Sequence, residues 1–175
     1  MITQKLLLEL FEYKDGFLYW KTKVNYNTKI GTVAGCLNGK KSKTQRMVIG
    51  LYKKSYLASR LIFLYHHGYL PECVDHKDRD QLNDRIENLR PATKGQNNAN
   101  RKSANKTSKF LGVCYTAQRI KNGDKVYEYY KWRAQIVLNK KVINLGSFDT
   151  EEEAAIAYNN AAKEIHKEYA NINNI

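Results

Sequence analysis

The sequence predicts an α+β protein made of small, separately built pieces. Three observations carry that expectation. Amphipathic helices alternate with short β segments through residues 1–93, a cationic stretch poor in apolar side chains occupies 94–109, and residues 110–175 read as three strands followed by one helix. The chain has 175 residues, 42% of them hydrophobic, with 13 Tyr, 5 Phe and 2 Trp. That length allows one medium domain or two small ones with thin cores, and the aromatic content argues against wholesale disorder. With 30 Lys+Arg against 17 Asp+Glu the formal net charge is +13, which points to a polyanionic partner. No apolar run approaches the ~18 residues that a membrane-spanning helix needs, and the start MITQKLLLELFEYKDG lacks the pattern of a signal peptide. Cys36, Cys73 and Cys114 are scattered, without a CxxC pair. They predict neither a disulfide framework nor a zinc site, and a reducing cytoplasmic setting.

The elements follow in order. Thr3 is the expected N-cap of a first helix with Leu6, Leu7, Leu10 and Phe11 on one stripe. The Asp15-Gly16 turn leads to a strand at Phe17-Leu18-Tyr19-Trp20, and Gly31, Gly35 and Asn38-Gly39 punctuate short β segments ending in Met47-Val48-Ile49. SYLASRLIFLYHHG predicts a buried helix from about Ser55, closed by Gly68 with Pro71 beyond. His66 and His67 read as polar residues of its last turn. A short strand, Cys73-Val74-Asp75-His76, is followed by a polar loop returning to Leu89-Arg90. In KGQNNANRKSANKTSK the first part reads as helical with Thr93 as N-cap and the remainder as a linker whose cations lie along phosphates. Strands are expected at Leu111–Gln118, Tyr127–Leu138 and Val142–Phe148, joined by turns at Asn122-Gly123 and Asn139-Lys140-Lys141. Asp149 or Thr150 caps a last helix with Glu151, Glu152 and Glu153 in its first turn. Ala154, Ala155, Tyr158, Ala161, Ala162 and Ile165 form its packing face.

The chemistry concentrates at Val74-Asp75-His76, Asn83, Asn88-Leu89-Arg90 and Asn97. A hard divalent cation takes oxygen ligands and keeps most of its waters, so one carboxylate (Asp75) and one amide (Asn97) suffice. His76 beside it can take a proton from a water attacking a phosphodiester. Neighbours on a regular strand face opposite ways. Asp75 and His76 therefore serve one site only if the strand end twists or the phosphate lies between them. Asn83 reads as a loop brace.

VDHKDRDQLNDRIENLRPATKGQNN, within about residues 74–100, resembles the HNH endonuclease family in its D-H-x-(D/N)…N-L-R pattern. The resemblance implies a ββα-metal fold, with His76 as general base, Asp75 on the metal, Asn88 hydrogen-bonding across the loop and Asn97 as second ligand. Many members carry histidine at that last position, and Asn98 is adjacent and chemically identical. Residues 1–73 resemble the extension of phage members of the family, with Ala58-Ser59-Arg60-Leu61 and His67-Gly68-Tyr69-Leu70-Pro71 matching its helix. Ser59 stands where such proteins often carry histidine.

Residues 108–173 resemble the AP2 DNA-binding domain through Gly112-Val113, Trp132-Arg133-Ala134-Gln135-Ile136, Leu145-Gly146-Ser147-Phe148 and Glu153-Ala154-Ala155-x-Ala157-Tyr158. The resemblance implies a three-stranded sheet that enters the major groove. Period-two alternation independently sorts Trp132, Ala134, Ile136 and Leu138 toward the helix and Arg133, Gln135 and Val137 away from it. Arg and Gln read guanine and adenine bidentately. Lys140, Lys141 and Asn144 extend this face. On the first strand Cys114 and Thr116 are candidates, or Tyr115 if the register shifts. Arg119, Lys131 and, in the linker, Arg101 and Lys102 complete the expected DNA contacts. Plant-type members show several arginines on the first strand, whereas none precedes Arg119 here, so their target does not carry over.

The expected organisation is an α/β extension (1–54), a ββα-metal nuclease core (55–100), a basic linker (101–109) and an AP2-like module (110–175). The expected function is a site-specific, homing-type DNA endonuclease using one divalent metal, Mg²⁺ ahead of Mn²⁺. It would act as a monomer on double-stranded DNA, with no membrane partner, in the cytoplasm (the host's, if phage-encoded). The alternatives are a catalytically weak AP2-type DNA-binding protein and a structure-directed phage HNH nuclease.

Overall fold

The computed structural model describes residues 2–38, 45–100 and 107–175. It is a mixed α and β protein with small antiparallel sheets, and it divides into two compact units, Met1–Lys94 and Gly95–Ile175.

In the first unit, α1 (Gln4–Leu10) begins at Thr3, whose hydroxyl accepts from the Leu6 N–H. Phe11 ends the helix and opens β1 (Phe11–Lys14), which pairs with β2 (Phe17–Trp20) across the Asp15-Gly16 turn. Phe11 was expected on the helical stripe. It leaves the helix but stays fully buried, because the hairpin presents it to the same core. β3 (Cys36–Asn38), β4 (Arg46–Leu51) and β5 (Lys54–Leu57) form a meander. Tyr52 and Lys53, both at positive φ, turn the chain between β4 and β5. That tight turn pairs Lys54–Leu57 with β4, so α2 (Ala58–His67) starts three residues later than the apolar pattern implied. Gly68 closes α2 in the left-handed region and donates its N–H to the Leu64 carbonyl.

One core joins these elements: Leu7, Phe11, Leu18, Ile49, Leu51, Leu61, Ile62 and Phe63, with Leu89 from further along the chain. Each such side chain stabilises by roughly 1.5–3 kcal/mol when fully buried. Val74 and Ile86 pack on its edge. The hairpin of β6 (Cys73–His76) and β7 (Leu89–Ala92) is thereby anchored; α3 (Lys94–Ala99) begins at the last residue of this unit and otherwise belongs to the second.

In the second unit, β8 (Val113–Asn122), β9 (Lys125–Leu138) and β10 (Lys141–Phe148) form an antiparallel sheet in the order β10-β9-β8. α4 (Glu151–His166) starts in a full capping box between Thr150 and Glu153, with three acids in its first turn. Ala154, Ala155, Tyr158 and Ala162 pack against Val113, Ala134 and Ile136. Leu138 was expected to join them. It lies at the far end of β9 and is exposed. The first hairpin is longer than expected, because pairing runs on to Asn122↔Lys125 and places Gly123, at φ +61°, in the two-residue turn. Asn173 ties the C-terminal segment back, bonding the Leu111 N–H and carbonyl and the Asn159 amide. No helix among the described residues is long and apolar enough to cross a membrane.

Candidate active site

The β6–β7 register sets Asp75 opposite Arg90 and His76 opposite Leu89. Directly opposed residues share a face, so Asp75 and His76 begin on opposite sides of the hairpin. Each is held by a different partner. Arg90 donates Nε and Nη2 to one oxygen, Oδ2, of Asp75, both at 2.8 Å, in a nearly buried ion pair. His76 Nε2 lies 2.8 Å from Oδ1 of Asp84, a residue only 4% exposed.

The intervening loop is tied by side chains. Asn88 Oδ1 accepts the Asp78 N–H, and its Nδ2 donates to Asp78 Oδ1 at 2.9 Å and to the Asn83 carbonyl at 2.7 Å. Asn83 in turn donates to Asp78 Oδ2 at 2.6 Å. Burial pushes the Asp78 carboxyl up, but the hydrogen bonds from Asn83, the Asp80 N–H and Asn88, with His76 nearby, outweigh this and hold it below the ordinary carboxylate range. Lys77 N–H bonds the Asn88 carbonyl, and Arg79, at φ +67°, donates its N–H to the His76 carbonyl. The Tyr13 hydroxyl accepts the Ile86 N–H, linking the loop to β1. These bonds fix where β6 ends, and with it the direction of the His76 ring.

Among the described residues no group of three or more His, Cys, Asp or Glu gathers to hold a metal. On the β6–β7 hairpin the oxygen donor is the Asp75 carboxylate, which Arg90 holds in one orientation, while Asn97 and Asn98 lie on α3, within the second unit. Carboxylate and amide oxygens are donors for a hard divalent ion that keeps most of its waters, not for zinc.

On the sheet of the second unit, the register groups Arg133 with Cys114 and Ser147, and Gln135 with Asn144, on the face away from α4. A β-bulge between Asn144 and Gly146 interrupts β10, and Asn144 Oδ1 accepts the Gly146 N–H. Two polar atoms on this face, Arg133 Nε and Thr116 Oγ1, are shielded from solvent and find no hydrogen-bond partner among the described residues. Lys131 shares the face and is ion-paired with Asp149. Tyr115 does not share it. Its register partner is Trp132, and its ring packs on Trp132 and Tyr130, on the helix side of the sheet. Arg119 is also on that side, paired with Glu128 at 2.9 Å. Lys140 sits in the β9–β10 turn and Lys141 opposite Leu138. Arg101 and Lys102 lie outside the described residues.

Sequence reasoning passed over Asp84 and treated Arg90 only as part of a motif. The available signal was chemical: in Asn83-Asp84-Arg85 one acid stands in a loop that must turn back onto His76.

The β6–β7 hairpin thus carries an Asp-His pair on its first strand and a connecting loop braced by side chains. Residues 56–99 match the HNH endonuclease family, a class of nucleases acting on DNA. No curated protein and no solved structure matched the chain.

Proposed function

We propose that the protein is a site-specific, divalent-metal-dependent DNA endonuclease of the homing type, acting as a monomer on double-stranded DNA. The observation that carries this reading is the Asp75-His76 pair at the end of β6, braced by Asn88, inside the segment that matches the HNH endonuclease family. His76 accepts the proton of the attacking water, while Asp84 orients its ring. Asp75 and Asn97 would hold the metal, Mg²⁺ ahead of Mn²⁺. When bound, that ion offsets charge on the scissile phosphate and the leaving 3′ oxygen. Asn88 keeps the loop closed so that Asp75 and His76 keep their spacing. Residues 110–175 form an AP2-like module whose outer face, with Arg133, Gln135 and Asn144, reads bases. The unpartnered Arg133 Nε and Thr116 Oγ1 support this, because a shielded polar group without a partner costs roughly 1–3 kcal/mol that a ligand can recover. Arg101 and Lys102 track phosphates between the modules.

The test is conversion of supercoiled plasmid by the purified chain with Mg²⁺ or with EDTA, alongside His76→Ala. Nicking that needs the metal and falls by roughly 10²–10⁴ in the variant, with DNA affinity within a few-fold, is the expected result. Metal-dependent cleavage only of branched substrates favours a structure-directed nuclease. Tight binding without nicking favours a DNA-binding protein of the AP2 type.

A further inference from the structure

The sheet of the second unit is only partly backed. β10 pairs with Trp132–Leu138, and the core under α4 takes up Val113, Ala134 and Ile136. Beyond them β8 and β9 continue alone for seven residue pairs, from Thr116↔Lys131 to Asn122↔Lys125. At ~3.4 Å per residue this ribbon is about 24 Å long. A two-stranded ribbon without a packed face is marginal in water, yet this one exposes Val126, Tyr127, Tyr129 and Tyr130.

Its two faces differ. On the helix side Glu128 bonds both Arg119 and the Tyr130 hydroxyl, and the Tyr115 and Tyr130 rings stack at 5.6 Å. Near Tyr115 that face is occupied by its own contacts. The other face carries Lys125, Tyr127 and Tyr129, then Lys131, which Asp149 pairs, in line with Arg133 and Gln135, and strand register assigns the ribbon beyond Lys131 no acidic residue on this face. Cations flank a pair of amphipathic rings there, in a surface that fits a polyanion presenting both phosphates and flat bases.

We infer that the ribbon is a DNA-binding arm. Its Lys125/Tyr127/Tyr129 face lies in the same major groove as Arg133 and Gln135 and lengthens the protein's footprint. The inference rests on the proposed base-reading role of that sheet face. A major groove admits a two-stranded ribbon. Because strand rise and base-pair rise are both ~3.4 Å, the arm adds about seven base pairs. Lys125, next to the turn, meets a phosphate at the far end.

The test uses the full chain and fluorescein-labelled, mixed-sequence duplexes of increasing length. Wild-type affinity is expected to keep rising with duplex length until the arm is covered. Lys125→Ser/Tyr127→Ser/Tyr129→Ser is expected to reach its plateau about seven base pairs earlier, with affinity for long duplexes weakened about tenfold. Lys125→Ser alone, a fully exposed change that does not touch the core, is expected to lower the salt slope by about 0.9. Val126→Thr, on the opposite face, keeps the wild-type length dependence. Wild-type length dependence and salt slope in both the triple and the single variant overturn the arm. If Arg133→Ala/Gln135→Ala weakens binding in that same experiment, only the arm fails. If that pair too binds as wild type, the base-reading face itself is wrong. A wild-type preference for single strands of equal length, lost in the triple variant, overturns the duplex as the occupant.

Discussion

At the scale of single residues, the site depends on partners that hold its working groups. His76 is adjacent to Asp75 in the chain, but its ring is set by Asp84, eight residues later. Removing that carboxylate frees the ring to rotate, and a misplacement of ~1 Å can cost about 10²-fold in rate. Asp84→Ala is therefore expected to lower kcat for plasmid nicking by about that factor with KM nearly unchanged. Asp84→Asn, which keeps an acceptor oxygen for Nε2–H, recovers much of the rate. Equal losses in the two variants, or a rise in KM alone, exclude a positioning role. The Asp75–Arg90 pair behaves differently, since truncating one member of a buried pair leaves the other charge without compensation. Arg90→Ala accordingly lowers stability as well as activity.

At the scale of elements, the second unit turns on one close approach. Gly112 has φ +73°, and a Cβ there would stand 2.1 Å from Tyr158 Cδ2 and 2.6 Å from the Gln135 carbonyl. Its own carbonyl accepts the Gln135 N–H at 2.8 Å. The glycine thus lets the entry to β8 lie against α4 while staying bonded to β9. Gly112→Ala combines an unfavourable left-handed backbone with overpacking, and a loss of at least about 2–3 kcal/mol is expected in denaturant unfolding followed by Trp132 fluorescence. A change under about 1 kcal/mol would mean that the α4 face repacks freely. Gly16 in the β1–β2 turn is less confined, since its nearest neighbour, the Arg85 N–H nitrogen, stands 3.0 Å from a Cβ.

At the scale of the whole molecule, sensitivity to alkali is built into the unit that holds α4. Burial pushes the Tyr158 hydroxyl up from 10.0 to about 12. The neutral phenol is favoured in the fold, so its contribution is complete below pH 10 and is lost as pH rises from 10 toward 12. The unit holding α4 is expected to lose stability over that window, and Tyr158→Phe to flatten the decline. Thermal melts of wild type and variant between pH 9 and 12 measure it; parallel curves would mean that Tyr158 ionises as it does in the unfolded chain.

How much of this was legible beforehand follows from the range of each interaction. Periodicity and caps are local, so the Thr3 and Thr150 caps, the Gly68 stop, the hairpin around Asp75-His76 and the inward set Trp132, Ala134 and Ile136 could all be read from residue order. The start of α2 could not, because the Tyr52-Lys53 turn gives residues 54–57 to a strand that a partner two residues away completes. Nor could the side of the sheet that Tyr115 occupies, since a one-residue change of register reverses every side chain and only the pairing with β9 decides it. The same holds for the active site. Sequence alone shows where carboxylate, imidazole and amide groups stand, because these are properties of single side chains. Tertiary structure alone decided that Arg90 grips Asp75 and Asp84 grips His76, because those contacts exist only once β7 and the loop fold back on β6.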